Sequence, residues 1–560
     1  MKKPLAETVT ATVQERNAPR VLGLALLASL GSFFYYFQRS DLLLYGDAVA
    51  HINIARRVVD SQTPGLLQLG TVWLPLPHLL MVPFLYFDRM WQLGAGGSIP
   101  SMVAYMLAVV GIFRLASGLL ESDPRTRPAA SVGAWIAAVA YGANPNLLYM
   151  QATAMTESVY LAFFVWAVVY FAEFLRTRTS AVIEPKGTEP GALLARCGWC
   201  LAAAELTRYD GWILACAMGA IVAVLTLRHW NDRHSRLASL KFLLLIAAVP
   251  VLWLSYNAAI YGNALAFANG PYSAKAIEQR VGAPNPALHN APIAAVYFLK
   301  SAQLNMADGN WGRGWLAAAV LVLIAAIWKL RLRSTPLLLL WVPLPFYALS
   351  IAYGSVPVHV YMWWPFATFN QRYGLQLLPM FAVSAGLLAT GAFLLGAGRH
   401  GGKLVAATLA LIVVSYASVW KAGPQCFQEA RRNWQIRYPL NDSVERVVRA
   451  LPRNSRYLMD LGEHVGVMEQ AGIPLRQVVN NENHRPWKRP SDPDGLWERA
   501  LANPARYVDF VITFEGDAVD QAVNKSDLTV LTEIHSTGQP AARIYSTRPI
   551  STLTSPNQPR

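Results

Sequence analysis

Few residues in this chain combine a reactive type with a telling position. Asp47 follows Tyr45-Gly46 at the head of a helical pattern, YGDAVAHINIARRVVDSQ, and His51 stands one turn later on the same face at i, i+4. A carboxylate there either caps the helix or takes the proton from an attacking hydroxyl as general base. His51 either binds a ligand or packs. Glu157, in MTESVYLAFF, begins an apolar run. A carboxylate facing lipid costs about 3 kcal/mol at mid-bilayer and less near the interface, so Glu157 should face protein. It either favours the helix dipole or shares a cavity with Asp47. Arg208 and Asp210, in AELTRYDGW, mark a tight turn; Asp210 reads as a local ion-pair partner, and Arg208 either as its mate or as an anion ligand. Arg372, beside Tyr373 in FNQRYGLQLLP, heads another apolar run. A phosphate leaving group is already a weak base, so it needs fixed positive charge and helix N-terminal amides rather than a general acid. Arg372 is placed to supply that charge, unless it pairs with a lipid phosphate.

The elements that must hold these residues are apolar helices. Of 560 residues only 14% are charged and 54% are apolar, with 18 Trp, 23 Tyr and 21 Phe. Long apolar runs at about 21–38, 98–120, 130–148, 157–175, 193–206, 210–228, 242–261, 314–329, 335–353, 373–396 and 403–420 predict about eleven crossings of a membrane. The polar first twenty residues and the absence of a small-residue cleavage site make Val21 to Phe37 a retained helix rather than a signal peptide. The 46–62 pattern predicts a helix lying on the membrane surface, charged face outward. PLPHLLMVPFLYFDRMW, broken by prolines, predicts a re-entrant or interfacial segment with Trp73, Tyr86 and Trp91 as interfacial anchors. Beyond Pro424 short β-type runs (RYLMD, YVDFVITF, LTVLTEI, ARIYS) alternate with helical stretches, the pattern of an α/β domain. Glu463, His464, Asn483 and His484 of that tail either contact the acceptor or are solvated surface side chains, and the second is the ordinary reading of surface polar residues.

The net charge of +15 raises a nucleic-acid reading, and its distribution removes it. From Lys421 onward there are 18 Lys/Arg against 16 Asp/Glu, leaving 30 against 17 of the chain's 48 and 33 for the membrane part. With the N-terminus inside, 19 of those 30 fall in the short loops and terminus of one side, as the positive-inside rule requires. An odd number of crossings then puts the tail on the outer side, with the loops 39–97 and 262–312. Of four cysteines only Cys426 lies in the tail, so no intrachain disulfide staples it; Cys197 and Cys200 read as packing residues.

The Asp47 loop with its surface helix and Pro-rich run, the acid at 157, the LTRYDG turn and the RYGLQLLP helix start, in that order, resemble the GT-C superfamily of membrane glycosyltransferases. Within it the nearer branch is similar to dolichyl-phosphate-mannose protein mannosyltransferases and lipid A aminoarabinose transferases, over most of residues 20–400. The resemblance implies a polyprenyl-phosphate sugar as donor, an acceptor at the outer face, inversion at the anomeric carbon and Asp47 as catalytic carboxylate. It aligns Glu157 with a second acid and Arg372 with a donor-phosphate contact. The chain departs from the oligosaccharyltransferase pattern in having a lone Glu157 where those carry a DxD-type pair, so no metal is required by the motif, although a divalent ion is compatible with the class.

The expected architecture is therefore an all-α polytopic membrane domain of GT-C type with a C-terminal α/β soluble domain on the outer face. Its parts are a cytoplasmic segment 1–20, a transmembrane catalytic domain 21–420 and an outer domain 421–560. The expected site is Asp47 and Glu157 as catalytic acids, with His51, Arg208, Arg372 and Tyr373 binding the donor. The expected partners are membrane lipid, a polyprenyl-phosphate sugar and an acceptor glycan, lipid or protein, and no nucleic acid. A transporter of lipid-linked sugar is the rival, but transporters place polar groups at mid-membrane in two related halves; here, Glu205 apart, the candidates stand at helix ends.

Overall fold

The computed structural model describes residues 13–179, 189–228, 230–270, 273–282, 284–330, 334–396, 400–462, 464, 466–483 and 495–548. All eleven apolar runs are helical, and the chain is a multi-pass membrane protein. Among the described residues nine helices are long and apolar enough to cross a membrane. The runs at 130 and 193 yield shorter helices, Ala130–Gly142 of 13 residues and Pro190–Glu205 of 16. The first is cut at Asn144-Pro145: the Asn144 Oδ1 accepts from the N–H groups of Asn146 and Leu147 and starts a separate helix, Pro145–Gln151. A proline is tolerated at a helix start, where its missing N–H has no bond to lose.

The helices that carry the site or pack around it are α1 (Val13–Phe37), α2 (Gly46–Arg57), α3 (Leu76–Leu85), α4 (Ala95–Glu121), α5 (Glu157–Thr179), α6 (Asp210–Arg228), α7 (Pro343–Tyr353) and α8 (Gln425–Ala450). Against expectation, α2 does not lie open on a surface: nine of its 12 residues are buried, Arg56 and Arg57 among them. The C-terminal part covers it. Asn53 donates to Glu469 at 3.1 Å and the Gly46 N–H to Asn433 at 2.7 Å. A buried guanidinium must have its donors met, and Arg56 does: Asp60 at 2.8 Å, Asp88 at 2.5 Å and the carbonyls of Leu85 and Tyr86 at 2.7 and 2.8 Å. Trp91 is likewise no interfacial anchor. It is 1% exposed, donates to Asn53 at 3.2 Å and lies under Arg56. Tyr86, 67% exposed, is the one of the three that stays open.

After α8 come β1 (Tyr457–Met459), α9 (Gly466–Ala471), β2 (Val478–Val479), β3 (Phe510–Phe514), β4 (Thr529–Ile534) and β5 (Ala542–Ser546). They form one sheet in the order β2-β1-β3-β5-β4; β2, β1 and β3 are parallel, while β5 runs antiparallel to both β3 and β4. Side chains alternate between the faces of a strand, and here the alternation joins the sheet to the helices. Tyr457, Met459, Phe510, Ile512, Phe514 and Ile544 share one continuous core with the membrane helices, whereas Leu458, Val511 and Tyr545 pack with Trp497 and Val519 on the other face.

The tail side chains expected to be solvated are therefore not all at the surface. Asn483 is fully buried and donates to Ser61 and Thr63 at 3.3 and 2.9 Å, and the His464 ring stacks on Phe514 at 3.5 Å between centroids. Burial, with Arg437 nearby, pushes the His464 imidazole down to about 4. Glu463 and His484 lie outside the described residues.

Candidate active site

Asp47 does not cap its helix. Tyr45 occupies the cap position, and the Asp47 carboxylate, 40% exposed, meets Arg372 instead, Oδ2 to Nη2 at 2.6 Å. Arg372 is brought there by a sharp turn: Asn370 takes the left-handed conformation (φ 54°), which Asn tolerates better than most residues, and a 3₁₀ segment Gln371–Leu377 follows. Gly374 in that segment abuts the backbone of Ser301 and Ala302, and a Cβ would stand 2.5 Å from a carbonyl carbon. Only glycine permits this approach.

Two guanidiniums organise the site. Arg372 contacts Asp47, Glu429 at 2.7 Å and Glu157 at 3.4 Å. Arg208 contacts the same Glu157 oxygen at 3.2 Å and Asp210 at 3.4 Å, and donates to Thr156 at 3.2 Å and to the Tyr347 hydroxyl at 3.0 Å. Tyr347 donates onward to Asp210 at 3.1 Å. Tyr373 lies with its ring centroid 5.1 Å from each guanidinium carbon, and Tyr45 is 5.1 Å from that of Arg372. Rings so placed stabilise positive charge through their negative faces. Glu157 is fully buried, as expected of an acid turned from lipid.

These groups surround a cavity of about 460 Å³, and Asp47, His51, Glu157, Arg208, Arg372 and Tyr373 all line it. Lys275, Trp73 and Asp210 line it too, so Trp73 faces the site and is not an interfacial anchor. A volume of this size suits a sugar phosphate or a comparable small ligand. Among the described residues no group of three or more His, Cys, Asp or Glu side chains is gathered to hold a metal ion. The carboxylates here are matched with guanidiniums.

His51 is 2% exposed, and burial, reinforced by Arg372 and Arg208, pushes its imidazole down to about 3. Its Nδ1 lies 2.9 Å from Nε2 of His78, which α3 delivers and which is fully buried.

Sequence reading missed two of these participants. Glu429 stands 57 residues past Arg372 at the start of α8, and its second oxygen accepts the Gln371 N–H at 2.7 Å. Nothing local in QCFQEARR marks it. His78 left a signal in being a histidine inside an apolar, proline-broken run, where burial is expected and a partner is required.

No family model matches the chain, and no curated protein matches it in sequence. Among solved structures it is similar to ArnT from Cupriavidus metallidurans in the apo state, with a TM-score of 0.54 at 12% identity, covering 95% of this chain and 98% of that one. The same protein bound to undecaprenyl phosphate gives a TM-score of 0.50 at 12% identity, covering 95% of this chain and 99% of that one. The chain has the GT-C fold. Helical bundle and C-terminal sheet are both included, since the likeness spans nearly the whole of each chain. Within this GT-C fold the cavity lies at the end of the bundle that the C-terminal sheet covers.

Proposed function

We propose that this GT-C chain is a membrane glycosyltransferase that moves a sugar from a polyprenyl-phosphate donor to an acceptor nucleophile at the outer face, with inversion. The carrying observation is that a carboxylate and two guanidiniums, drawn from segments far apart in sequence, converge on one cavity: Asp47, Arg208 and Arg372. Asp47 is the base. Arg372, Arg208 and Tyr373 hold the donor phosphate, and Glu157 and Glu429 hold the guanidiniums. That ArnT binds undecaprenyl phosphate within the same fold supports the donor class, and the loop-charge asymmetry supports an outward-facing site.

In-line displacement places the attacking oxygen and the leaving phosphate on opposite sides of the anomeric carbon. A base and a phosphate anchor 2.6 Å apart cannot both be engaged in that state. The donor phosphate therefore takes the Arg372 Nη2 in place of Asp47, and the released carboxylate turns to the acceptor hydroxyl. The hydroxyl proton goes to Asp47 as its oxygen bonds to the anomeric carbon, and the bond to the lipid phosphate breaks with its electrons left on phosphate oxygen. Two guanidiniums supply the positive charge this step needs, so the reading assigns no role to a metal.

The test is transfer from a panel of radiolabelled polyprenyl-phosphate sugars in vesicles carrying the intact protein or Asp47→Asn at matched expression. Transfer abolished by Asp47→Asn is expected. No transfer from any donor, with lipid-linked sugar moving across the vesicle membrane, would replace the reading with transport.

A further inference from the structure

The His51–His78 pair has a consequence for the ligand. Neutral imidazole carries one N–H and one bare nitrogen, and two such rings joined Nδ1 to Nε2 at 2.9 Å share one proton along that line. Whichever ring supplies it fixes the other ring's tautomer. If His51 donates through Nδ1, His78 must keep its proton on its own Nδ1. That atom is buried and has no hydrogen-bond partner among the described residues. An orphaned buried N–H is rarer than an orphaned acceptor. The favoured arrangement is the reverse: His78 donates through Nε2 and leaves a bare lone pair on Nδ1, and His51 accepts at Nδ1 and carries its proton on Nε2.

His51 lines the cavity with Nδ1 already engaged, so Nε2 is the nitrogen left for a ligand. Its ring packs against Trp73 at 4.7 Å between centroids, and Trp73 lines the cavity as well. An indole face beside a fixed N–H donor, one helical turn from Asp47, suits a sugar ring: the apolar C–H face lies on the indole and a hydroxyl oxygen accepts from the imidazole.

Resting on the glycosyltransferase reading, we propose that His51 binds a hydroxyl oxygen of the donor sugar as an obligatory Nε2–H donor, and that His78 is the positioning residue that holds it in that tautomer.

Two measurements test this. The first needs no turnover: nitrogen NMR of the full chain in detergent, labelled with 15N-histidine, with His51 and His78 assigned by the signals lost in His51→Gln and His78→Leu. Protonated Nε2 and bare Nδ1 on His51 are expected; protonated Nδ1 on His51 overturns the proposal even if the protein is a transferase. The second is kinetic. His78→Leu should raise the KM for the sugar donor about tenfold, the worth of one hydrogen bond, with little change in kcat. In a His51→Gln background, where the amide has N–H donors of its own, His78→Leu should leave KM unchanged. An equal effect of His78→Leu in both backgrounds would show His78 to be merely structural and overturn the assignment. Absence of transfer from the unsubstituted protein, with the expected tautomer present, would count against the glycosyltransferase reading alone.

Discussion

The Asp47 carboxylate and the Arg372 guanidinium lie 2.6 Å apart, although 325 residues separate them. In the proposed reaction this contact would hold the general base and the anion anchor in one place while neither is in use. On that proposal the base becomes available only when something else takes the guanidinium, so donor binding and base release would be coupled through one hydrogen bond.

Substitution at Asp47 should separate the two roles. Asp47→Asn is expected to lower transfer by about 10²- to 10⁴-fold, the usual worth of a general base. It should leave polyprenyl-phosphate binding intact or tighter, because a competitor for Arg372 has lost its charge. Equilibrium binding followed by tryptophan fluorescence, alongside transfer rates, checks both halves.

Glu429 offers a test of the C-terminal helix as part of the site. Its oxygens hold the Arg372 Nη1 and the Gln371 N–H, each at 2.7 Å. Glu429→Gln keeps shape and loses charge, and with hydrogen bonds to charged groups contributing about 1.5–3 kcal/mol, the donor KM should rise about tenfold or more. The kcat should fall less, since Glu429 does not line the cavity. Steady-state kinetics at varied donor concentration would show the split.

Docking of the C-terminal part over α2 should depend on pH through Glu469. Burial raises its carboxyl from an ordinary value near 4.5 to about 8, a rise that the hydrogen bond from Asn53 and the charge of Arg437 only partly offset. The folded state then binds this proton more tightly than the unfolded chain does. The contribution to stability is full below about 4.5, fades as pH rises, and is gone above about 8. Thermal unfolding between pH 5 and 9 should show Tm falling with pH, and Glu469→Gln should flatten that slope.

Gly97 on α4 sets how closely α2 approaches the turn before α5. A Cβ there would stand 2.5 Å from Ile52 Cγ2 and 2.6 Å from Ala154 Cβ. Gly97→Ala should cost about 1–3 kcal/mol by overpacking, seen as a lower Tm. It should also lower kcat by moving Asp47 away from Glu157, whereas an alanine at Gly23, which has open space around it, should do neither.

Because the bilayer demands long apolar helices and permits charge only at their ends or in protein cavities, the sequence alone was enough to locate the membrane helices and to single out Asp47, His51, Glu157, Arg208, Arg372 and Tyr373. Short β-type runs in the tail likewise announced the strands. What no local pattern held was which solvent each exposed-looking face would meet. The charged side of α2 reads as a water-facing stripe, and it is buried because the Pro-rich run that follows closes over Arg56 while the C-terminal part meets Asn53 and Asp60. Trp73 and Trp91 read as interfacial anchors by type, and packing turned one into the cavity and the other into the core. Glu429 and His78 act through partners 57 and 27 residues away, and pairing at such distances is decided by chain topology and burial rather than by spacing. Sequence chose the residue types that could form a site; tertiary packing chose which of them would touch.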